Sequence, residues 1–304
     1  MRQVIRHRPG SILILLSLVC LAGVLAPAAG ASQLIDRNAS GVRLEVNRKG
    51  EALLTYRAHG KLHHVLAWGA LNAVPPLRGR PQVAFHLDYA GGWGKYHDSY
   101  WKTFKDACRP YDGSALAWFV VGCKAPDGSY WALQSWQREL PDYGVTPTAQ
   151  QSVWELHLSH WTGPLADFSV RVNWAYRRFN HLFGTLTYNG AGVYGFKSTS
   201  TGQPLDSFGR NVYIDTFDSA YGQGWMRENS FLTHAGTGAF CYGFYPHGSR
   251  PIGSGQKYRA TVEGPGVTPD VMWEGDAPGP YDPNAQAEAN EQIRLLADAR
   301  CRPV

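Results

Sequence analysis

From residue 168 to residue 176, apolar and polar side chains alternate without interruption. Phe168, Val170, Val172, Trp174 and Tyr176 take one side; Ser169, Arg171, Asn173 and Ala175 take the other. A period of two belongs to an extended strand with one buried face, whereas a helix would scatter these apolar residues around its circumference. Burial of a single face is the habit of antiparallel sheets. Trp154, Leu156 and Leu158 oppose Glu155, His157 and Ser159 in the same way.

Short runs rich in Val, Tyr, Trp, Phe and Thr recur between residues 42 and 246, divided by clusters of Gly, Pro, Asp and Asn. Residues 42–46, 52–57 and 62–68 read as a meander turning at Arg48-Lys49-Gly50 and His59-Gly60-Lys61. Residues 115–121 and 129–136 flank Pro126-Asp127-Gly128, a hairpin signal with glycine where positive φ costs little. Further strands are expected at 182–188, 193–197, 211–217, 230–234, 239–245, 257–262 and 271–274. Roughly a dozen strands exceed what one twisted sheet holds. The pattern therefore predicts an all-β fold, a two-layer antiparallel β-sandwich of jelly-roll type with one C-terminal α-helix. The sandwich is expected to occupy residues 32–263, with 264–304 forming an irregular connection and the helix. Asp282 suits the cap and Pro283 the first turn of that helix, and Ala285, Ala289, Ile293 and Leu296 share a face.

Residues 1–31 carry a different signal. Arg2, Arg6 and Arg8 precede an apolar run at 12–25, and Ala29-Gly30-Ala31 supplies the small residues of a cleavage site. This is the layout of a secretory signal peptide. The run is shorter than the roughly 20 residues of a membrane span. The alanine-rich stretch to Ala31 leaves an uncleaved anchor as the alternative. No Arg-Arg pair precedes the run, and Val19 before Cys20 is larger than lipid attachment requires. The body then holds 26 basic and 24 acidic residues, a balance too even to track a phosphate backbone. The expected location is secreted or cell-envelope, with no membrane span after cleavage and no nucleic-acid partner. Four cysteines remain there, Cys108, Cys123, Cys241 and Cys301, and export favours two disulfides. Of three connectivities, Cys108–Cys123 with Cys241–Cys301 closes one short loop and pins the C-terminal end. No C-x-x-C spacing supports a zinc site.

Three constellations are candidates for function. Residues 88–98 crowd Asp88, Tyr89, Trp93, Lys95, His97 and Asp98 among three glycines, the mixture of aromatic face and polar reach that a sugar ring needs. The alternative is a lid packed on the sandwich end. The polar row Glu155, His157, Arg171, Asn173, Thr185 and Thr187 forms either a ligand trough or a solvated outer face. Tyr213, Asp215, Asp218 and Trp225 border a Gly-rich loop where Asp215 and Asp218 would suit a Ca2+ cofactor or merely cap a turn. Glu155, Asp215 and His97 are the candidates for acid–base work on a glycosidic bond. The match to G-x-G-x-x-G at 190–195 lacks a following helix and reads as a turn between strands. Neighbouring histidines such as His63 and His64 point to opposite strand faces, as do His157 and His160, so neither pair makes a metal site. No G-x-S-x-G, H-E-x-x-H or P-loop motif occurs. The expected function is binding of carbohydrate or cell-envelope glycan. An extracellular glycoside hydrolase or polysaccharide lyase is the first alternative and a structural envelope protein the second.

Overall fold

The computed structural model describes residues 32–74, 82–137, 140, 153–175, 179–193, 212–219, 222–227, 231–234, 238–243, 255–279, 282–284, 287 and 290–291. The first nine strands are β1 (Gln33–Arg37), β2 (Ser40–Val46), β3 (Ala52–Ala58), β4 (Lys61–Trp68), β5 (His86–Asp88), β6 (Arg109–Pro110), β7 (Phe119–Lys124), β8 (Tyr130–Gln137) and β9 (Trp154–Trp161). They form two antiparallel sheets, ordered β1-β9-β8-β7-β6 and β2-β3-β4-β5. One short helix, α1 (Trp93–Tyr96), and a 3₁₀ turn, Tyr100–Lys102, sit between β5 and β6.

The next nine strands are β10 (Asp167–Ala175), β11 (Phe179–Tyr188), β12 (Ala191–Gly192), β13 (Val212–Ser219), β14 (Gly222–Arg227), β15 (Phe231–His234), β16 (Ala239–Gly243), β17 (Lys257–Val262) and β18 (Val271–Asp276). They form sheets ordered β10-β11-β16-β15, with β12 beside β11, and β14-β13-β17-β18. The all-β layered architecture expected from the alternation is present. It occurs twice. Val46, Leu54, Tyr56, Val65, Trp131, Leu133, Leu156 and Leu158 belong to one buried cluster drawn from the first two sheets. Val170, Leu182, Leu186, Ile214, Phe240, Tyr258 and Val262 belong to another, drawn from the second two. The buried interior is therefore divided into two clusters, and the face of β8 and β9 that points away from the first one mixes buried polar groups, Gln134, Glu155, His157 and Ser159, with the indoles of Trp136 and Trp161.

Local chemistry explains the register. In β10, Val170 is buried and Phe168 and Val172 pack on the second core, while Ser169 is exposed. Val170 faces Gly184 across the ladder. A Cβ on Gly184 would lie 2.5 Å from both the Phe240 ring and the Ser169 carbonyl, so the aromatic ring occupies the space glycine leaves. The hairpin at Pro126-Asp127-Gly128 joins β7 to β8 as expected, with Gly128 at φ 90° and Asp127 Oδ1 accepting from the Ser129 amide at 2.9 Å. Asn189 and Gly190, at φ 51° and 75°, make the tight turn between β11 and β12. The glycine motif thus begins in a strand-to-strand turn, and residues 194–195 lie outside the described residues.

Cys108 and Cys123 form a disulfide, as expected. Cys241 is also disulfide-bonded, and its expected partner Cys301 lies outside the described residues. Residues 283, 284, 287, 290 and 291 are helical, and Asp282 Oδ1 accepts from the Asn284 amide at 2.9 Å, the capping role expected. Ala285, Ala289, Ile293 and Leu296 lie outside the described residues. The connection at 264–270 is irregular, but it is buried throughout and leads into β18. No described helix is long and apolar enough to cross a membrane.

Candidate functional site

The loop at 88–98 is organised by Asp88, which sequence reasoning placed at a ligand. Its buried carboxylate instead accepts from the amides of Ala90 at 2.9 Å, Gly94 at 2.7 Å and Lys95 at 3.3 Å. Lys95 Nζ donates to Glu51 Oε1 at 2.7 Å and lies 4.2 Å from the Trp68 ring centre. Burial by itself would raise the Glu51 pKa, but bonds from Lys95, Tyr96 and Asn47 bring it down to about 2. The loop is therefore a hydrogen-bonded scaffold. Trp93, His97 and Asp98 remain exposed, and the exposed Tyr89 donates through its hydroxyl to the Ile35 carbonyl at 3.1 Å.

The polar row does not form one surface. Glu155 and His157 stand on β9 in the first pair of sheets, Arg171 and Asn173 on β10 and Thr185 and Thr187 on β11 in the second. Glu155, His157 and Ser159 are buried, so their face is neither solvated nor a trough. The segment 263–270 covers it. Asp270 Oδ1 accepts from Ser32 Oγ at 2.7 Å and the Gly264 amide at 2.9 Å, and Oδ2 accepts from Trp136 Nε1 at 2.9 Å. The Asp270 amide donates to Gln134 Oε1 at 2.9 Å, and Gln134 Nε2 donates back to the Asp270 carbonyl at 3.1 Å.

The three candidate acid–base groups stand on different elements, each with partners of its own. Arg37 holds Glu155 Oε1 at 2.8 Å, and His157 Nε2 lies 3.2 Å from Oε2. Asp215 sits on β13, its Oδ1 taken by Arg227 Nε at 2.5 Å and its Oδ2 by Arg259 at 2.9 Å and 3.1 Å. His97 closes α1 in a left-handed conformation. Asp218 Oδ1 accepts from the Gly224 amide at 2.8 Å, so it ties a turn. Among the described residues no group of three His, Cys, Asp or Glu side chains is placed to hold a metal.

Around Asp215, however, lies a better site. Arg259 is fixed from below by the carboxylate, and its guanidinium lies 4.2 Å from the Trp225 ring centre and 5.4 Å from that of Trp118. Trp118 adopts φ 50°, a conformation rare for a bulky residue, and stacks on buried Trp136 at 5.3 Å. Tyr213 meets Trp136 edge-on at 5.6 Å and carries the Arg227 guanidinium 4.4 Å from its ring centre. Above this lattice opens a cleft of about 410 Å³ lined by Trp118, Trp154, Trp225, Gln137, Gln223 and Arg259 among others. Trp154 is 50% exposed although it begins β9, because it projects past the end of the first core. The first sandwich supplies Trp118, Gln137 and Trp154; the second supplies Gln223, Trp225 and Arg259.

Only Trp225 of these was singled out from the sequence. Trp118 falls within the run 115–121 and Trp154 on the apolar side of its strand, and period-two patterning cannot tell an end residue from a central one. A second cavity, about 770 Å³, adjoins the loop and is lined by Arg48, Lys49, Tyr100, Lys105, Asp106 and Arg109 among others. Its acid is engaged, with Asp106 Oδ1 accepting from the amides of Val46 at 3.1 Å and Cys108 at 2.9 Å.

Compared with family models, with curated proteins and with solved structures, the chain matches none. The chemistry of the two cavities is what speaks for function.

Proposed function

We propose that this is an exported glycan-binding protein whose ligand site is the cleft between Trp118, Trp154 and Trp225. The supporting observation is the convergence of three indoles with two glutamine amides and one anchored guanidinium. Indole faces cover the C–H surface of a pyranose, and amide and guanidinium groups reach its hydroxyls. A volume of about 410 Å³ suits one or two sugar rings. Export is supported by the leader-like residues 1–31 and by the Cys108–Cys123 disulfide.

Retention of the protein without residues 1–31 on immobilised polysaccharides tests the reading. Trp154→Ala and Trp225→Ala are expected to weaken retention by about tenfold or more, the usual effect of removing a central aromatic anchor. Trp93→Ala, outside the cleft, is expected to bind normally. Failure of every polysaccharide to retain the protein overturns the proposal. The four cations around the second cavity favour a second reading, in which an acidic envelope polymer binds there. Binding of that kind would weaken steeply with salt and with Arg48→Ala or Lys105→Ala, leaving neutral glycans unaffected.

A further inference from the structure

Asp270 is 1% exposed, yet the donors to its carboxylate are neutral: the Ser32 hydroxyl, the Gly264 amide and the Trp136 indole. His157 Nδ1 stands 4.0 Å from Oδ2. A buried carboxylate is costly unless a cation pairs with it closely. Ser32 is itself 5% exposed, and His157 Nδ1 lies 3.0 Å from its hydroxyl and 3.3 Å from its carbonyl oxygen. The leader-like residues end in Ala29-Gly30-Ala31, so cleavage after the second alanine makes Ser32 the first residue of the exported chain.

We propose that the Ala31–Ser32 bond is a processing site and that the α-ammonium group released on Ser32 is the buried counter-ion of Asp270. The inference rests on the export reading above. Hydrolysis by a signal peptidase adds one water across the bond, leaving a carboxylate on Ala31 and an amine on Ser32 that takes up a proton. Covalent geometry keeps that nitrogen about 3–4 Å from the hydroxyl of its own residue, whichever rotamer the side chain adopts. The hydroxyl in turn lies 2.7 Å from Asp270 Oδ1. The uncleaved chain offers only an amide at this position, so processing places a full positive charge where the fold has buried a negative one. Among the described residues, the charged groups that act on His157 beside Asp270 are Asp270 itself, Glu263, and Glu155 with its partner Arg37. The surroundings already favour positive charge. Burial alone would lower the His157 pKa, but Glu155, Asp270 and Glu263 raise it.

Three measurements decide the matter. Mass spectrometry and N-terminal sequencing of the protein exported from a bacterium are expected to find Ser32 first. A product beginning elsewhere overturns the processing site together with the leader as drawn. The amine is then tested with acetic anhydride: acylation in the native protein is expected to be at least about tenfold slower than in urea, as for a group exposed only on opening. A chain beginning at Ser32 whose amine reacts at the unfolded rate overturns the ion pair and leaves export standing. One glycine added before Ser32 is expected to lower the thermal midpoint by about 5 °C or more. Asp270→Asn should abolish that difference, and an undiminished difference in Asp270→Asn overturns the pairing. If the variant does not fold, the acylation rate of the unaltered protein decides alone.

Discussion

His160 and His157, three residues apart on β9, are driven in opposite directions by their surroundings. His160 is stacked on Trp131 at 3.8 Å, with Nδ1 bonded to the Ala70 carbonyl and Nε2 2.9 Å from Ser129 Oγ. Burial dominates and brings its pKa down to about 4, against smaller opposing effects of the Ala70 carbonyl and Asp127. The unfolded chain binds a proton near pH 6.5 that the folded chain refuses until about pH 4, so stability falls as pH drops through that window. A loss of the order of 3 kcal/mol is expected across it. Urea midpoints at pH 7 and pH 4.5 measure the loss, and His160→Gln should remove its share. His157 has the contrary sign. Its raised pKa gives stability that is complete below the unfolded value and is lost as pH rises through the folded one. Side chains at this scale were only partly legible in the sequence. Asp88 reads in the sequence as a candidate ligand group, and in the structure its carboxylate accepts from three loop amides. A carboxylate that builds a loop and one that meets a ligand leave the same letter in the sequence.

Among the elements, the alternation in β10 and the Pro-Asp-Gly turn before β8 were readable because each depends on neighbouring residues alone. Which sheets cover which faces was not. The polar side of β9 looks like a solvated face until the segment at 264–270, a hundred residues later, lies across it. Gly184→Ala is expected to destabilise the protein by about 1–3 kcal/mol, because a methyl group there meets Phe240 and a backbone oxygen together. The Cys108–Cys123 bridge closes a separation of 15 residues beside the basic cavity, and Cys123→Ser should cost about 3 kcal/mol. Both are read from denaturant titrations. The serine variant should also weaken any anionic ligand of that cavity, since Arg109 lies within the closed loop and Lys105 only three residues before it.

At the scale of the whole molecule, two apolar clusters are linked by buried hydrogen bonds together with aromatic contacts of Trp136. Gln134 and Trp136 reach from β8 to Asp270, and Trp136 also abuts Tyr213 on β13. Intact protein is expected to melt in one calorimetric transition. Gln134→Ala, which strands both backbone groups of Asp270, is expected to split it into two or broaden it visibly. Such coupling leaves little trace in a sequence, since Gln134 and Asp270 are 136 residues apart and neither stands out by type.

The tryptophan-lined cleft lies astride that junction, with three of its side chains on either side. Whatever fills it becomes a rivet. Pulling one sandwich away from the other would first have to shear an occupied cleft, so a bound sugar chain would raise the rupture force seen by an optical trap.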